Sequence, residues 1–136
     1  MFDEMIIREG TVRNVRASEA ADAPITGFSF ETHVPYYRGL GLSMVEVPVV
    51  TVDGEEVAPE DLRFTYDGVT RTFDELADVS DVRWELRTFA RITVLRPGGL
   101  GAGEHELSVN LRLRVSYLPF IAENRFTRTV SVPAAA

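Results

Sequence analysis

The sequence predicts an all-β fold, a two-layer antiparallel β-sandwich with one short helix, and three features predict it. Apolar and polar residues alternate with a period of two along the longest stretches, the signature of strands with one buried face. Asp-Gly pairs sit between strand-like runs, where they supply the positive φ angles of tight hairpins. Only one short segment carries a helix-start signal. A closed barrel is the alternative architecture.

Taken in order, a short strand is expected over residues 11–16. The next runs over 25–34, with Phe28, Phe30, Thr32 and Val34 facing one way and Ser29, Glu31 and His33 the other, and so half buried. From 44 to 52 the apolar set changes phase beside Pro48, which predicts a bulge or an edge position. Short strands follow at 62–66 and 69–72, joined by Asp67-Gly68, just as Asp53-Gly54 closes the preceding hairpin. Thr72-Phe73-Asp74-Glu75 is a capping-box pattern ahead of Leu76 and predicts the single helix. Strands at 83–86 and 89–95 lead into a Gly-rich turn, Pro97 to Gly103. The longest strand covers 104–117, with Leu107, Val109, Leu111, Leu113, Val115 and Tyr117 on one face; a last strand covers 124–132.

At 136 residues the chain is one domain, residues 1–136, with 133–136 expected to be a frayed tail. Hydrophobic residues at 45% and charged residues at 26% exclude a disordered or collagen-like chain. The net charge of -7 sets the molecule against a phosphate backbone or an anionic membrane, so neither nucleic acid nor membrane is an expected partner. All 14 basic residues are Arg, which assigns no function. Without Cys there is no disulfide, thiolate metal site or thiol catalysis. Asp3 and Glu4 stand where a signal peptide needs basic residues, so a cytoplasmic location is expected.

The chain shows little chemistry of its own. His33 and His105 lack metal-ligand spacing, and on a strand His105 points away from Glu104 and Glu106. A solvated strand start is the better reading of that triplet. Ser29 lacks the second Gly of a nucleophile elbow and sits in unbroken alternation, as a polar-face residue. The Gly99–Gly103 stretch opens a strand, whereas dinucleotide and phosphate loops open a helix. Many carboxylates, Asp53 among them, belong to the rims of hairpins, and sequence cannot pair them.

Recognition is better represented. The stretch from His33 to Met44 holds two Tyr, an Arg, two Leu and a Met, residue types suited to interfaces. Tyr117 to Ala122 is a second such stretch, and Met1, Phe2, Met5, Ile6 and Ile7 form a third. The residues alone leave open whether these stretches meet a partner or close the chain's own core. Arg112 and Arg114 pose the same choice, with solvated pairing to nearby acids the commoner outcome.

Several of these segments carry a resemblance. Thr26-Gly27-Phe28-Ser29-Phe30, Pro35-Tyr36-Tyr37-Arg38-Gly39, Leu42-Ser43-Met44-Val45-Glu46 and Val52-Asp53-Gly54-Glu55-Glu56-Val57 resemble the small β subunit of bacterial C-glycoside deglycosidases. So do the strand holding Trp84 and the run from Gly98 through Glu104-His105 to Tyr117. The Pro-Tyr-Tyr-Arg-Gly run is the most specific part; the likeness is least from Pro119 onward. The resemblance implies a sandwich that binds a catalytic α subunit similar to the sugar isomerase barrels. That partner is expected to hold a divalent metal, commonly manganese, and to act on 3-oxo-C-glycosides. The keto group acidifies the neighbouring C2 proton, a base on the α subunit can then form an enediolate, and elimination expels the aglycone carbon. This chain is expected to hold no catalytic residue, metal or cofactor, and to meet its partner through Pro35, Tyr36, Tyr37, Arg38, Leu40, Leu42, Met44 and Phe120. Two rival readings are a free-standing carbohydrate-binding module, with Tyr36, Tyr37 or Trp84 stacked on sugar rings, and an independent enzyme using a carboxylate pair. For Trp84, a place in the core is the preferred expectation.

Overall fold

In the computed structural model, residues 5–20, 22–34, 39–86, 88–115 and 118–132 are described. Among these, eleven strands and one helix follow in chain order: β1 (Arg13–Arg16), β2 (Ile25–His33), β3 (Leu40–Gly41), β4 (Val49–Val52), β5 (Glu55–Glu56), β6 (Leu62–Tyr66), β7 (Val69–Arg71), α1 (Phe73–Leu76), β8 (Arg83–Trp84), β9 (Phe89–Leu95), β10 (Gly103–Leu113) and β11 (Ala122–Val132). Three-residue 3₁₀ turns occupy Leu42–Met44 and Pro59–Asp61. Each of these strand pairings is antiparallel. A five-stranded sheet has the order β1-β2-β9-β6-β7, a four-stranded sheet β11-β10-β4-β5, and β3 pairs with β8 in a separate ribbon. The sandwich expectation holds, with separate sheets rather than a closed barrel.

The alternation in the sequence becomes the inner faces of the two sheets. Phe28 and Phe30 on β2, Phe64 on β6 and Ile92 on β9 meet Leu107, Val109 and Leu111 on β10 in one core cluster. Each of these side chains is almost fully removed from water, worth about 1.5–3 kcal/mol apiece before the entropy of ordering is counted. Asp53 and Asp67 adopt φ of 50° and 52°, and the glycines after them 87° and 80°, so both Asp-Gly pairs form the expected turns. In α1 both halves of the capping box are made: Glu75 N–H donates to Thr72 Oγ1 at 3.2 Å, and Thr72 N–H donates to Glu75 Oε1 at 2.7 Å. One turn suffices to bury Phe73 and Leu76.

The phase change beside Pro48 is a bulge. Between the Val45–Leu113 bridge and the Val49–Asn110 pair, the first segment takes four steps while β10 takes three, so one residue is extra. That insertion turns Val50 and Val52 inward after Val45. The Gly-rich segment carries the chain from β9 in one sheet to β10 in the other. Here the Asn14 side chain grips Leu100 twice, accepting from its N–H at 2.8 Å and donating to its carbonyl at 3.0 Å.

β2 departs from its half-buried reading: Ser29 and His33, placed on the polar face, are buried too. Ser29 lies between Arg13 on β1 and Thr93 on β9, and small side chains in mid-sheet are roofed by longer neighbours. His33 packs edge-on to Phe89 with ring centroids 5.4 Å apart. The Arg8 guanidinium lies 4.3 Å over the same Phe89 ring and pairs with Glu31 at 3.0 Å.

On the inner face of β2, the Thr32 hydroxyl is fully buried and has no hydrogen-bond partner among the described residues. An orphaned buried hydroxyl loses hydration without compensation. Thr32→Val keeps the β-branched shape, and is expected to raise stability by about 1 kcal/mol. A urea melt should show a higher midpoint at unchanged slope.

Candidate functional site

One end of the sandwich brings the described part of the first recognition stretch beside the end of β10. Pro35, Tyr36, Tyr37 and Arg38 lie outside the described residues, but the chain on both sides of them is anchored. Val34 is buried, and the Gly39 carbonyl accepts from the Arg83 guanidinium at 2.6 Å. β3 then pairs Leu40 with Trp84, and the following 3₁₀ turn is tied down by Leu42 N–H to the Val82 carbonyl (3.0 Å) and Ser43 N–H to the Val79 carbonyl (3.1 Å).

The second stretch joins the first through the end of β10. Arg114 N–H donates to the Met44 carbonyl at 2.8 Å, Glu46 N–H donates to the Arg112 carbonyl at 2.9 Å, and the Arg114 and Glu46 side chains pair at 3.1 Å. Chain segments far apart in sequence are thus stitched side by side. Beyond them the loop toward β11 turns at Leu118, whose N–H donates to the Val115 carbonyl, and presents Phe120 at 62% exposure.

The named interface candidates therefore divide. Leu40 and Leu42 point into the chain's own core, while Met44 is half buried against it, so these three support the end from beneath. Phe120 is the candidate with a large free surface. Ile6 and Ile7 of the third stretch are wholly internal; Met1, Phe2 and Tyr117 lie outside the described residues. Arg112 and Arg114 find acids of their own chain: Arg114 meets Glu46, and Arg112 lies 3.9 Å from Glu123. Trp84 is fully buried, with its Nε1–H donating to the Thr88 carbonyl at 3.1 Å, and has no face for a sugar ring.

The groove on the outer face of the four-stranded sheet, lined by Val49, Thr51, Ser108, Asn110 and Arg125, holds a network centred on Glu123. That carboxylate accepts from Asn110 at 3.2 Å and from Arg125 at 3.2 Å. Ser108 and Thr127 hydroxyls pair at 2.7 Å. Among the described residues no group of three His, Asp or Glu side chains could hold a metal ion, and no helix is long and apolar enough to cross a membrane. Sequence reasoning missed one constellation: His105 meets Asp53 and not its neighbours in sequence, with Nδ1 2.7 Å from Asp53 Oδ2. No local pattern announces it, because the partners are 52 positions apart and meet only through the β4–β10 register.

The fold and this end define a class: an antiparallel sandwich whose most exposed large apolar side chain, Phe120, stands on a loop at one end. Residues 2–117 match the family of C-glycoside deglycosidase beta subunits, and the chain belongs to that family. It is 37% identical over 120 residues, 88% of its own length and 83% of the relative's, to a 3'-dehydrocarminate deglycosidase beta subunit from Microbacterium sp. It is 32% identical over 124 residues (89% and 82%) to a C-glycoside deglycosidase beta subunit from Microbacterium trichothecenolyticum. A third, from Eubacterium cellulosolvens, is 30% identical over 123 residues (90% and 82%). The family match ends before Phe120 and β11.

Proposed function

We propose that the chain is the non-catalytic β subunit of a C-glycoside deglycosidase, assembling with a barrel-type α subunit that cleaves the carbon–carbon glycosidic bond of 3-oxo-C-glycosides. Membership of the beta-subunit family supports a partner, and a relative named for 3'-dehydrocarminate supports an oxidised C-glycoside as the substrate class. The observation that carries the reading is the stitched end of the sandwich, where residues 44–46 bond to residues 112–114 and the loop that leads on to β11 exposes Phe120. By this reading the divalent metal, manganese, belongs to the α subunit. On this chain the residues at work are binding residues: Tyr36, Tyr37, Arg38 and Phe120.

Co-expression with a barrel-type α subunit, affinity capture through a tag on this chain and assay on a 3-oxo-C-glycoside test the proposal. A stoichiometric complex releasing aglycone in a metal-dependent way supports it; a stable monomer eluting alone defeats it. Replacing Tyr36, Tyr37 and Arg38 together by Ala is expected to abolish capture while the circular dichroism melt stays within a few degrees of the parent. Phe120→Ala removes an exposed aromatic without touching the core, and at hot-spot magnitude costs about 2 kcal/mol of binding, roughly a thirtyfold weaker Kd. Unchanged assembly in both variants would place the interface elsewhere.

A further inference from the structure

We propose that His105 and Asp53 form a pH-sensitive staple, which holds the Gly-rich crossover against the β4–β5 turn while the imidazole is doubly protonated and lets it go as the pH rises. The geometry permits one protonation state. His105 Nδ1 lies 2.7 Å from Asp53 Oδ2, and Nε2 lies 2.6 Å from the Gly101 carbonyl oxygen. A carboxylate and a peptide carbonyl both only accept, so both ring nitrogens must donate, and only the imidazolium does that. A neutral ring keeps one bond and turns a lone pair toward the other oxygen.

The staple joins three elements. Asp53 belongs to the turn between β4 and β5, His105 to the start of β10, and Gly101 to the crossover that links the two sheets. Asp53 is held in place independently, because its Oδ1 accepts from Glu106 N–H at 2.8 Å and its own N–H donates to the Glu106 carbonyl at 2.8 Å. The crossover is anchored as far as buried Leu100, which Asn14 grips, but beyond it Gly101 is exposed and a Cβ there would meet no atom within 4 Å, so little packing holds that part. The side to be released is therefore the glycine segment.

The charged groups acting on the ring are Asp53 from the turn and Arg96 from the end of β9. β11 sets Val130 opposite His105, and Glu104 and Glu106 on its own strand alternate to the other face. The hydrogen bond to Asp53 and then that to Gly101 lift the imidazole above its ordinary 6.5, against the smaller opposing effects of partial desolvation and then of Arg96. The bond from His105 and then that from Glu106 N–H hold the Asp53 carboxyl below its ordinary 3.8. The raised His105 contributes stability that is complete below 6.5 and is lost as the pH climbs through its folded value. The lowered Asp53 contributes stability present above 3.8 and lost as the pH falls through its folded value. Between those limits the staple is closed.

Proton NMR of the full chain tests this directly, since His33 and His105 are the only two histidines. The His105 ring is expected to titrate above 6.5, and the Gly101 and Gly103 amide resonances to move with the same midpoint. Asp53→Asn retains an acceptor for Glu106 N–H and tolerates the positive φ at this position. It should bring the His105 midpoint down toward 6.5 and uncouple the glycine resonances from the titration. A His105 midpoint at or below 6.5 in the parent chain, or glycine amides that stay fixed through it, would overturn the staple.

Discussion

Trp84→Ala is expected to cost about 3–5 kcal/mol, the range for truncating a fully buried aromatic. Trp84 is buried completely and touches the Phe64 ring edge-on, with centroids 5.4 Å apart and planes at 74°. Removing the indole leaves a cavity between the small β3–β8 ribbon and the five-stranded sheet. It also strips the Thr88 carbonyl of its donor. The surrounding network depends on that position: Tyr66 Oη accepts from Glu85 N–H at 2.9 Å, and Thr88 Oγ1 donates to the Glu85 carbonyl at 2.6 Å. Against a typical domain stability of about 5–15 kcal/mol, the loss brings the variant near its unfolding threshold. A thermal melt followed by far-ultraviolet circular dichroism should fall by well over ten degrees. Because Leu40 pairs with Trp84, the same change should weaken capture of the proposed α subunit; full assembly with an unaltered melt would contradict the role given to the ribbon.

Gly27→Ala ranks second, and for a different reason. Gly27 lies on β2 between Val15 of β1 and Leu95 of β9, in the interior of the five-stranded sheet. A Cβ at this position would overlap the Val94 carbonyl oxygen and approach Leu95 Cα to 3.2 Å. Both obstacles are backbone, so no rotamer change relieves them and the β2–β9 pairing must open locally. The neighbouring bonds from Arg96 N–H to the Thr26 carbonyl and from Gly98 N–H to the Ile25 carbonyl, each 2.9 Å, would be strained with it. Overpacking of this kind costs about 3 kcal/mol. Equilibrium urea denaturation should show the loss. Gly101→Ala, where a Cβ meets nothing, should by contrast stay within about 0.5 kcal/mol of the parent.

These two positions also differ in how much of their role is visible before the chain is folded. Trp84 is legible as a core residue because an aromatic in an alternating strand has few other places to go. Gly27 is not legible as a close-contact glycine, because its constraint comes from β9, a strand distant in sequence. The stretches from His33 to Met44 and from Tyr117 to Ala122 stand out by composition, yet composition cannot say that Leu40 and Leu42 turn inward while Phe120 turns outward.

Local chemistry was enough for the all-β class, nearly every strand, both Asp-Gly turns, the capped helix and the bulge beside Pro48. Each of these follows from backbone preferences or side-chain period within a few residues, and such preferences act wherever the segment ends up. Assembly of the whole chain was needed to show which sheet each strand joins and that Ser29 and His33 are covered. It was needed as well to set Arg112 and Arg114 against acids of their own chain and to bring His105 to Asp53. Those outcomes depend on register and on the closure of long loops, where one residue of slip exchanges the faces of a strand and no local sequence records the partner across the gap.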